Sequence, residues 1–161
     1  MGTFNYSNNN LFNLGLDVFS KNYDDIAPED LDYYVEDYYN LVLDIISNYY
    51  FRFIEIKIEP GYYEGFYLSI ESCSDQLYCF ENYIEKQEAI KELQQFKKLV
   101  IELLESGLVW YHAHWCSSYM TYTENKKQIN KLLNTAIKDE REKLKAIPTA
   151  KNYTFSFIKN Y

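Results

Sequence analysis

The sequence predicts an α+β fold in a single domain, in which an antiparallel β-hairpin at the centre and a third strand are packed by about three helices. Three observations lead to this prediction. Apolar residues recur every three or four positions in three segments, which is typical of amphipathic helices. Between the first two segments, residues 51–59 and 66–72 change to a pattern typical of half-buried strands. The length of 161 residues suits one domain.

The first helix is expected from Pro28 to about Tyr49. Pro28 suits the first position of a helix, because a proline there loses no hydrogen bond. From Leu31 onward, apolar residues recur at three- or four-residue spacing, which indicates one continuous helix. Residues 1–27 show no such period, and we expect them to be irregular or strand-like.

Turn and cap residues predict the hairpin and the second half of the chain. Residues 60–65 contain Pro and two Gly, which form turns between strands. Gly107 stands where a helix commonly ends, and Thr121 with Glu124 has the spacing of a capping box, which opens a helix. The expected elements are a helix over about residues 86–106, a third strand over 108–115, a last helix from the capping box to before Pro148, and a tail or edge strand within 148–161.

Charge is distributed unevenly along the chain, whose net charge is −8. Residues 1–85 hold 16 acidic and 3 basic side chains, whereas residues 86–161 hold 8 acidic and 13 basic ones. We expect no direct binding to duplex DNA, because neutralising phosphates requires clustered Lys and Arg. The sequence has no apolar run long enough to span a bilayer and no signal-peptide pattern, so we expect no membrane partner and a cytoplasmic location.

The acidic residues concentrate in and before the first helix, where they form the predicted partner-binding surface. Asp30, Asp37 and Asp44 stand seven apart and therefore share one helix face. Tyrosines stand among these acids, and tyrosine is enriched at protein interfaces because it offers flat, amphipathic contact area. A row of carboxylates along a helix also roughly imitates the phosphates of a nucleic-acid strand. The predicted surface consists of Asp24, Asp25, Asp30, Asp32, Tyr33, Tyr34, Glu36, Asp37 and Asp44.

The alternative interpretation of this surface is a solvated acidic face that only aids solubility. Like charges three or four residues apart cost a helix a few tenths of a kcal/mol per pair, so a chain that keeps them has a use for the charge. The interleaved tyrosines favour binding over solubility alone.

One group of residues has side chains that could support a reaction. His112, His114 and Cys116 alternate along the predicted third strand, which would point them to one face. Two imidazoles and a thiolate can bind zinc, but on a flat strand they spread over about 13 Å, wider than a tetrahedral site allows. Neighbours on one strand face also rarely come within hydrogen-bonding reach, which argues against a Cys–His nucleophile. We therefore predict no metal site, no cofactor and no catalytic residue.

The chain is short, acidic and rich in tyrosine, and it contains the aromatic stretches Gly61-Tyr-Tyr-Glu-Gly-Phe66 and Leu108-Val-Trp-Tyr-His-Ala-His-Trp-Cys116. Lys, Asn, Ile and Tyr, whose codons are AT-rich, are frequent in it. In these respects it resembles small phage-encoded anti-defence proteins, among which are anti-CRISPR and anti-restriction DNA mimics. The resemblance is one of type only, and it points to no named family.

The resemblance implies a phage or prophage inhibitor in the host cytoplasm. Such an inhibitor binds a basic, nucleic-acid-binding defence enzyme, for example a Cas nuclease or a restriction enzyme, in the groove that the nucleic acid would fill, without turnover. The basic second half departs from an all-over mimic, so the mimicry would be one-sided, and this half could instead touch nucleic acid or a second partner. Two alternatives stay open: a phage accessory or structural protein that oligomerises, for example as a homodimer, and a metal- or thiol-dependent enzyme that uses His112, His114 and Cys116.

Overall fold

The computed structural model describes residues 16–18, 31–60, 66–112 and 119–150. In these residues, three helices and one sheet form an α+β architecture, which confirms the predicted fold class. The helices are α1 (Leu31–Ser47), α2 (Tyr83–Glu105) and α3 (Lys126–Ala146). The strands are β1 (Leu16–Val18), β2 (Ile54–Pro60), β3 (Phe66–Ser72), β4 (Val109–His112) and β5 (Tyr119–Met120), and a short 3₁₀ helix covers Cys73–Asp75.

The strands form an antiparallel sheet in the order β2-β3-β1-β4-β5. β2 and β3 are the predicted hairpin, and Pro60 pairs with Phe66 at its closed end. Of the predicted turn residues 60–65, Pro60 is instead the last residue of β2, and residues 61–65 lie outside the described residues. β1 joins the hairpin to β4, because Val18 pairs with Phe66 and Leu16 pairs with Tyr111. β1 fits the strand-like expectation for residues 1–27, but three residues are too few to show an alternating pattern.

Alternation along the strands separates a buried face of the sheet from an exposed one. Leu68 and Ile70 of β3 are buried, whereas Tyr67 before them and Glu71 after them are exposed. The helices supply most of the other core residues, and the core is one continuous cluster. Its most deeply buried large apolar side chains are Leu16, Phe80, Leu93, Phe96, Leu99, Leu103, Ile129, Leu133 and Leu144.

The second helix begins three residues earlier than predicted. The side chain of Asn82 accepts a hydrogen bond from the Glu85 N–H at 2.8 Å, and α2 therefore starts at Tyr83 instead of residue 86. The first helix ends at Ser47, two residues before the predicted Tyr49. Spacing alone predicts neither the start of α2 nor the end of α1 correctly, because apolar periodicity locates the middle of a helix better than its caps.

The prediction that Thr121 and Glu124 form a capping box at the start of the last helix is wrong. The Thr121 hydroxyl accepts a hydrogen bond from the Glu124 N–H at 3.2 Å, but α3 begins only at Lys126. The Asn125 N–H donates to the Thr121 carbonyl at 3.1 Å, so these contacts close a turn that precedes the helix. α3 ends at Ala146, before Pro148, as predicted.

The chain after α3 returns to the segment before α2. Thr149 pairs with Phe80 in a parallel bridge, and the Phe80 N–H donates to the Pro148 carbonyl at 2.8 Å. This pairing lies at the start of the predicted tail. The edge strand predicted at residues 153–158 lies outside the described residues.

Gly107 ends α2 in the left-handed conformation, with φ of 77°. Its N–H donates to the Leu104 carbonyl at 3.3 Å. The hydroxyl of Ser106 donates to the Leu103 carbonyl at 2.6 Å and accepts from the Leu108 N–H at 3.1 Å. These bonds satisfy backbone groups that the end of a helix would otherwise leave unpaired, and they require the chain to reverse at Gly107.

We predict that Gly107→Ala lowers the free energy of unfolding by about 1 kcal/mol, because a residue with a Cβ is strained at this φ. No steric clash adds to this cost, since nothing lies within 4 Å of the new Cβ. The melting temperature, followed by circular dichroism, should fall by roughly 2–4 °C. Gly107→Asn is the control and should fall less, because asparagine tolerates this conformation. Equal melting temperatures for Gly107→Ala and the parent would contradict the assignment.

Candidate functional site

The predicted partner-binding surface falls largely on α1. Asp37 and Asp44 lie in α1, and both are exposed. The structure describes only the backbone of four further predicted residues in α1, namely Asp32, Tyr33, Tyr34 and Glu36. Asp24, Asp25 and Asp30 lie outside the described residues.

α1 has a buried side and an acidic side, which lie opposite each other. Val42 is fully buried, and Ile46 packs against the same core. Asp37 and Asp44 lie on the other side of the helix, about 10 Å apart along its axis. Leu41 lies between them and is 43% exposed. The acidic face of α1 (Asp37 and Asp44) is thus directed away from the core and carries an apolar side chain between its two carboxylates.

The acidic face of α1 is not neutralised by the described basic residues. In the described part of residues 1–85, the basic side chains are Arg52 and Lys57. Arg52 pairs with Glu85 at 3.0 Å and with Glu88 at 3.5 Å. Lys57 lies 2.9 Å from Glu55, whose hydrogen bond raises the pKa of this lysine. Both cations are therefore committed to other acids, and none of the ion pairs within the described ranges includes α1.

Aromatic contacts fix α1 on the rest of the molecule. The hydroxyl of Tyr49, just after α1, donates to Glu102 of α2 at 2.8 Å, and its ring stacks on Phe51 with centroids 6.3 Å apart. Burial and then this hydrogen bond raise the pKa of Tyr49, so the phenol keeps its proton and stays a donor. Tyr39 meets Phe66 of β3 edge-on at 5.7 Å. α1 is thus held at its middle and just after its C-terminal end, and a face that is held in place loses little conformational entropy when it binds a partner.

A second group of polar residues lies inside the molecule, where α3 meets the end of β3. Glu140 is fully buried, and one of its carboxylate oxygens forms a short hydrogen bond with the Ser72 hydroxyl. Among the described residues, the other oxygen has no hydrogen-bond partner, and neither has the nearby buried hydroxyl of Ser74. Burying a polar group without a hydrogen-bond partner costs free energy. This cluster is therefore a polar site within an otherwise apolar core.

The burial of Glu140 was not predicted from the sequence, although a signal for it is present there. Glu140 belongs to a run of six charged residues, 138–143, which suggests a solvated surface. It nevertheless stands three residues after Ile137 and four before Leu144, both buried, and so falls on the apolar stripe of α3. The helical period, applied to every residue type, would have placed this carboxyl in the core.

A cleft of about 310 Å³ lies beside this cluster and includes Ser72 and Cys73 in its lining. Burial, followed by the charges of Glu140 and Glu92, raises the pKa of the Cys73 thiol to about 12. A thiol with this pKa is protonated at neutral pH and is a weak nucleophile. The residues around the cleft therefore do not activate Cys73 for thiol chemistry.

The histidine–cysteine group predicted at the third strand is only partly described. His112 is the last residue of β4, with its backbone alone described, and His114 and Cys116 lie outside the described residues. Among the described residues, no three His, Cys, Asp or Glu side chains are placed to hold a metal ion together.

Of the helices in the described residues, none is long and apolar enough to cross a membrane.

We predict that Glu140→Leu lowers the free energy of unfolding by roughly 1–3 kcal/mol, because the buried Ser72 hydroxyl, which accepts from the Ser74 N–H, loses the acceptor for its own proton. The double variant Ser72→Ala/Glu140→Leu should be more stable than Glu140→Leu alone, since no member of the pair is then left unpaired. Urea unfolding of both single variants and the double variant measures the difference. Strictly additive losses would show that the Ser72–Glu140 hydrogen bond contributes nothing.

A further prediction concerns Cys73 at alkaline pH. At pH 9, roughly 0.1% of a thiol with a pKa near 12 is ionised, against about half or more in an unfolded chain. Iodoacetamide should therefore alkylate Cys73 slowly in the folded protein and rapidly in denaturant, as measured by peptide mass spectrometry. The folded state holds this proton while the unfolded state loses it, so the stability contributed by Cys73 falls as the pH rises from about 9 to 12. Equally rapid alkylation of the folded protein would refute the raised pKa.

Comparison of the chain with protein-family models, with curated proteins and with solved structures found no match.

Proposed function

We propose that the protein is a phage or prophage inhibitor that binds a host nucleic-acid-binding defence enzyme, such as a Cas nuclease or a restriction enzyme. The acidic face of α1 would occupy the basic groove in which that enzyme holds its nucleic acid. One observation carries the proposal: Asp37 and Asp44 project opposite the core with no described cation beside them. The same face provides charge, regular spacing and apolar contact area.

The spacing of the two carboxylates suits a groove that binds a nucleic-acid strand. Residues seven apart on a helix are separated by about 10 Å along its axis. Three steps along a DNA strand cover about the same distance, since each step rises about 3.4 Å. Basic side chains arranged for phosphates would therefore meet Asp37 and Asp44 at every third phosphate position. Leu41 between them adds apolar contact, which charge alone does not provide.

A second candidate function is that of an accessory protein that oligomerises through exposed aromatic residues. Tyr50, Tyr78 and Tyr83 are 85%, 93% and 67% exposed, and Ile84 beside Tyr83 is 69% exposed. Large apolar or aromatic side chains that are this exposed favour a role in contacts with other proteins. Salt distinguishes the two candidates, because it screens binding through the acidic face but does not weaken apolar contacts.

We expect Asp37→Asn/Asp44→Asn to weaken inhibition at least tenfold, which corresponds to about 1.4 kcal/mol of binding free energy. The measurement is DNA cleavage by a panel of purified Cas nucleases and restriction enzymes, titrated with the parent and the variant. For any enzyme that the parent inhibits, its association rate with the parent should also fall between about 0.1 M and 1 M salt, as the Debye length shortens from about 10 Å to 3 Å.

The matched control is Glu55→Gln/Glu71→Gln, which removes two exposed acids that face each other on β2 and β3. It changes the net charge by the same amount and should leave inhibition intact. Equal losses in both variants would mean that only net charge matters. Full inhibition by Asp37→Asn/Asp44→Asn would rule out the acidic face of α1 as the binding surface.

A further inference from the structure

α3 carries a row of lysines on the side opposite the core. Ile129, Leu133 and Leu144 point inward, and each is at most 1% exposed. The basic face of α3 consists of Lys127, Lys131, Lys138 and Lys145, all exposed and within a narrow stripe of the helix surface.

The charge of this row is largely uncompensated. Lys145 lies 3.9 Å from Glu142, a distance at the limit of an ion pair. Within the described ranges, Lys127, Lys131 and Lys138 form no ion pair. In the part of the chain that the structure describes, a basic helix face and an acidic helix face are thus both largely unneutralised.

The two faces match in spacing. Lys131, Lys138 and Lys145 stand seven residues apart, as do Asp37 and Asp44. Both rows therefore repeat about every 10 Å along their helices. Two helices laid side by side with such rows can pair each charge with an opposite one, as interhelical ion pairs do in coiled coils. Two unrelated solvated faces need neither opposite charges nor a common spacing. The match between the two faces therefore favours a contact between them.

The two faces do not meet within one copy of the chain. α2 packs against both α1 and α3, and the acidic and basic faces are each directed away from the core. None of the ion pairs in the described part of the chain links α1 to α3. We propose that the basic face of α3 binds the acidic face of α1 of a second copy, and that the protein associates with itself through this pairing.

A two-fold arrangement satisfies both faces at once. In a symmetric dimer, α1 of the first copy meets α3 of the second, and α3 of the first meets α1 of the second. The contact is then made twice and closes, so association stops at two chains. Exposed Leu41 lies within the acidic face and adds apolar area to each contact.

A nucleic-acid strand is the competing occupant of the basic face. The net charge of −8 opposes it, because the acidic half of the chain repels phosphates over distances of about a Debye length. The basic face also contains no Arg, the side chain that binds phosphate in a bidentate manner. A second copy instead offers a surface of the required sign and period.

This inference stands apart from the proposed function, since it concerns only copies of this chain, but both use the acidic face of α1. If both hold, the dimer covers the surface that the target enzyme needs, and only the monomer inhibits. Lys131→Glu/Lys138→Glu should then abolish association while leaving the acidic face free to bind. A loss of dimer without loss of inhibition separates the two proposals.

The test is a charge exchange on the purified full-length chain, with mass measured by light scattering and sedimentation at about 50 mM and 500 mM salt. The parent should form a dimer that dissociates at the higher salt concentration. Lys131→Glu/Lys138→Glu and Asp37→Lys/Asp44→Lys should each weaken dimerisation at least tenfold. An equimolar mixture of these two variants should restore a dimer, because both contacts then again pair opposite charges.

Matched controls complete the experiment. Lys57→Glu carries the same kind of charge reversal on the exposed face of the sheet and should dimerise like the parent. Circular dichroism confirms that each variant is folded. A parent that stays monomeric at low salt overturns the proposal, as does a mixture that fails to dimerise. Retention of a labelled single-stranded or duplex oligonucleotide by the parent, lost in Lys131→Glu/Lys138→Glu, would assign the basic face to nucleic acid instead.

Discussion

The pairing of β1 on both of its edges is the constraint on which the rest of the structure depends. The three residues of β1 join the hairpin to β4, and Leu16, the first of them, is 1% exposed. The strand next to β1 on one side comes about 50 residues later in the chain, and the one on the other side about 90 residues later. Contacts over such separations are slow to form, because each must first overcome the entropy of closing a long loop. Until β1 is in place, two sheet edges are open and the buried face has no continuous surface for the helices.

α2 organises everything on the helical side of that sheet. Its apolar stripe fills the core, and its acidic side chains fix the segment that leads into β2. Glu92 accepts hydrogen bonds from the backbone N–H groups of Arg52 and Phe53 at 2.8 and 2.9 Å, while Glu85 and Glu88 hold the Arg52 side chain. The acids of α2 therefore have structural partners. Asp37 and Asp44 of α1 have no such partner in the described chain. A binding role is therefore assigned to α1 and not to the longer α2, whose five acids are offset by four lysines.

Periodic features of the molecule could be predicted from the sequence, and features set by single contacts could not. The alternating isoleucines extend along all of β2 and so predict a strand of the hairpin. The spacing of seven residues between Asp37 and Asp44 places both on one exposed face of α1. β1 is too short to show a period. The pairing of Arg52 with Glu85 joins residues 33 positions apart, which no local pattern encodes. The residue type of Glu140 and its charged neighbours indicate an exposed position. Only its place on the apolar stripe of α3 indicates burial.

The placement of opposite charges on α1 and α3, on either side of α2, also gives the molecule an electric dipole. A charged body that approaches such a molecule exerts a torque on it before any side chains touch, and rotates the oppositely charged helix toward itself. The fraction of collisions that arrive in a productive orientation then rises, and this fraction is what limits the rate at which two proteins dock. The chain would thus gain speed of recognition from the distance between its charges, independently of how tightly either helix binds once it has docked.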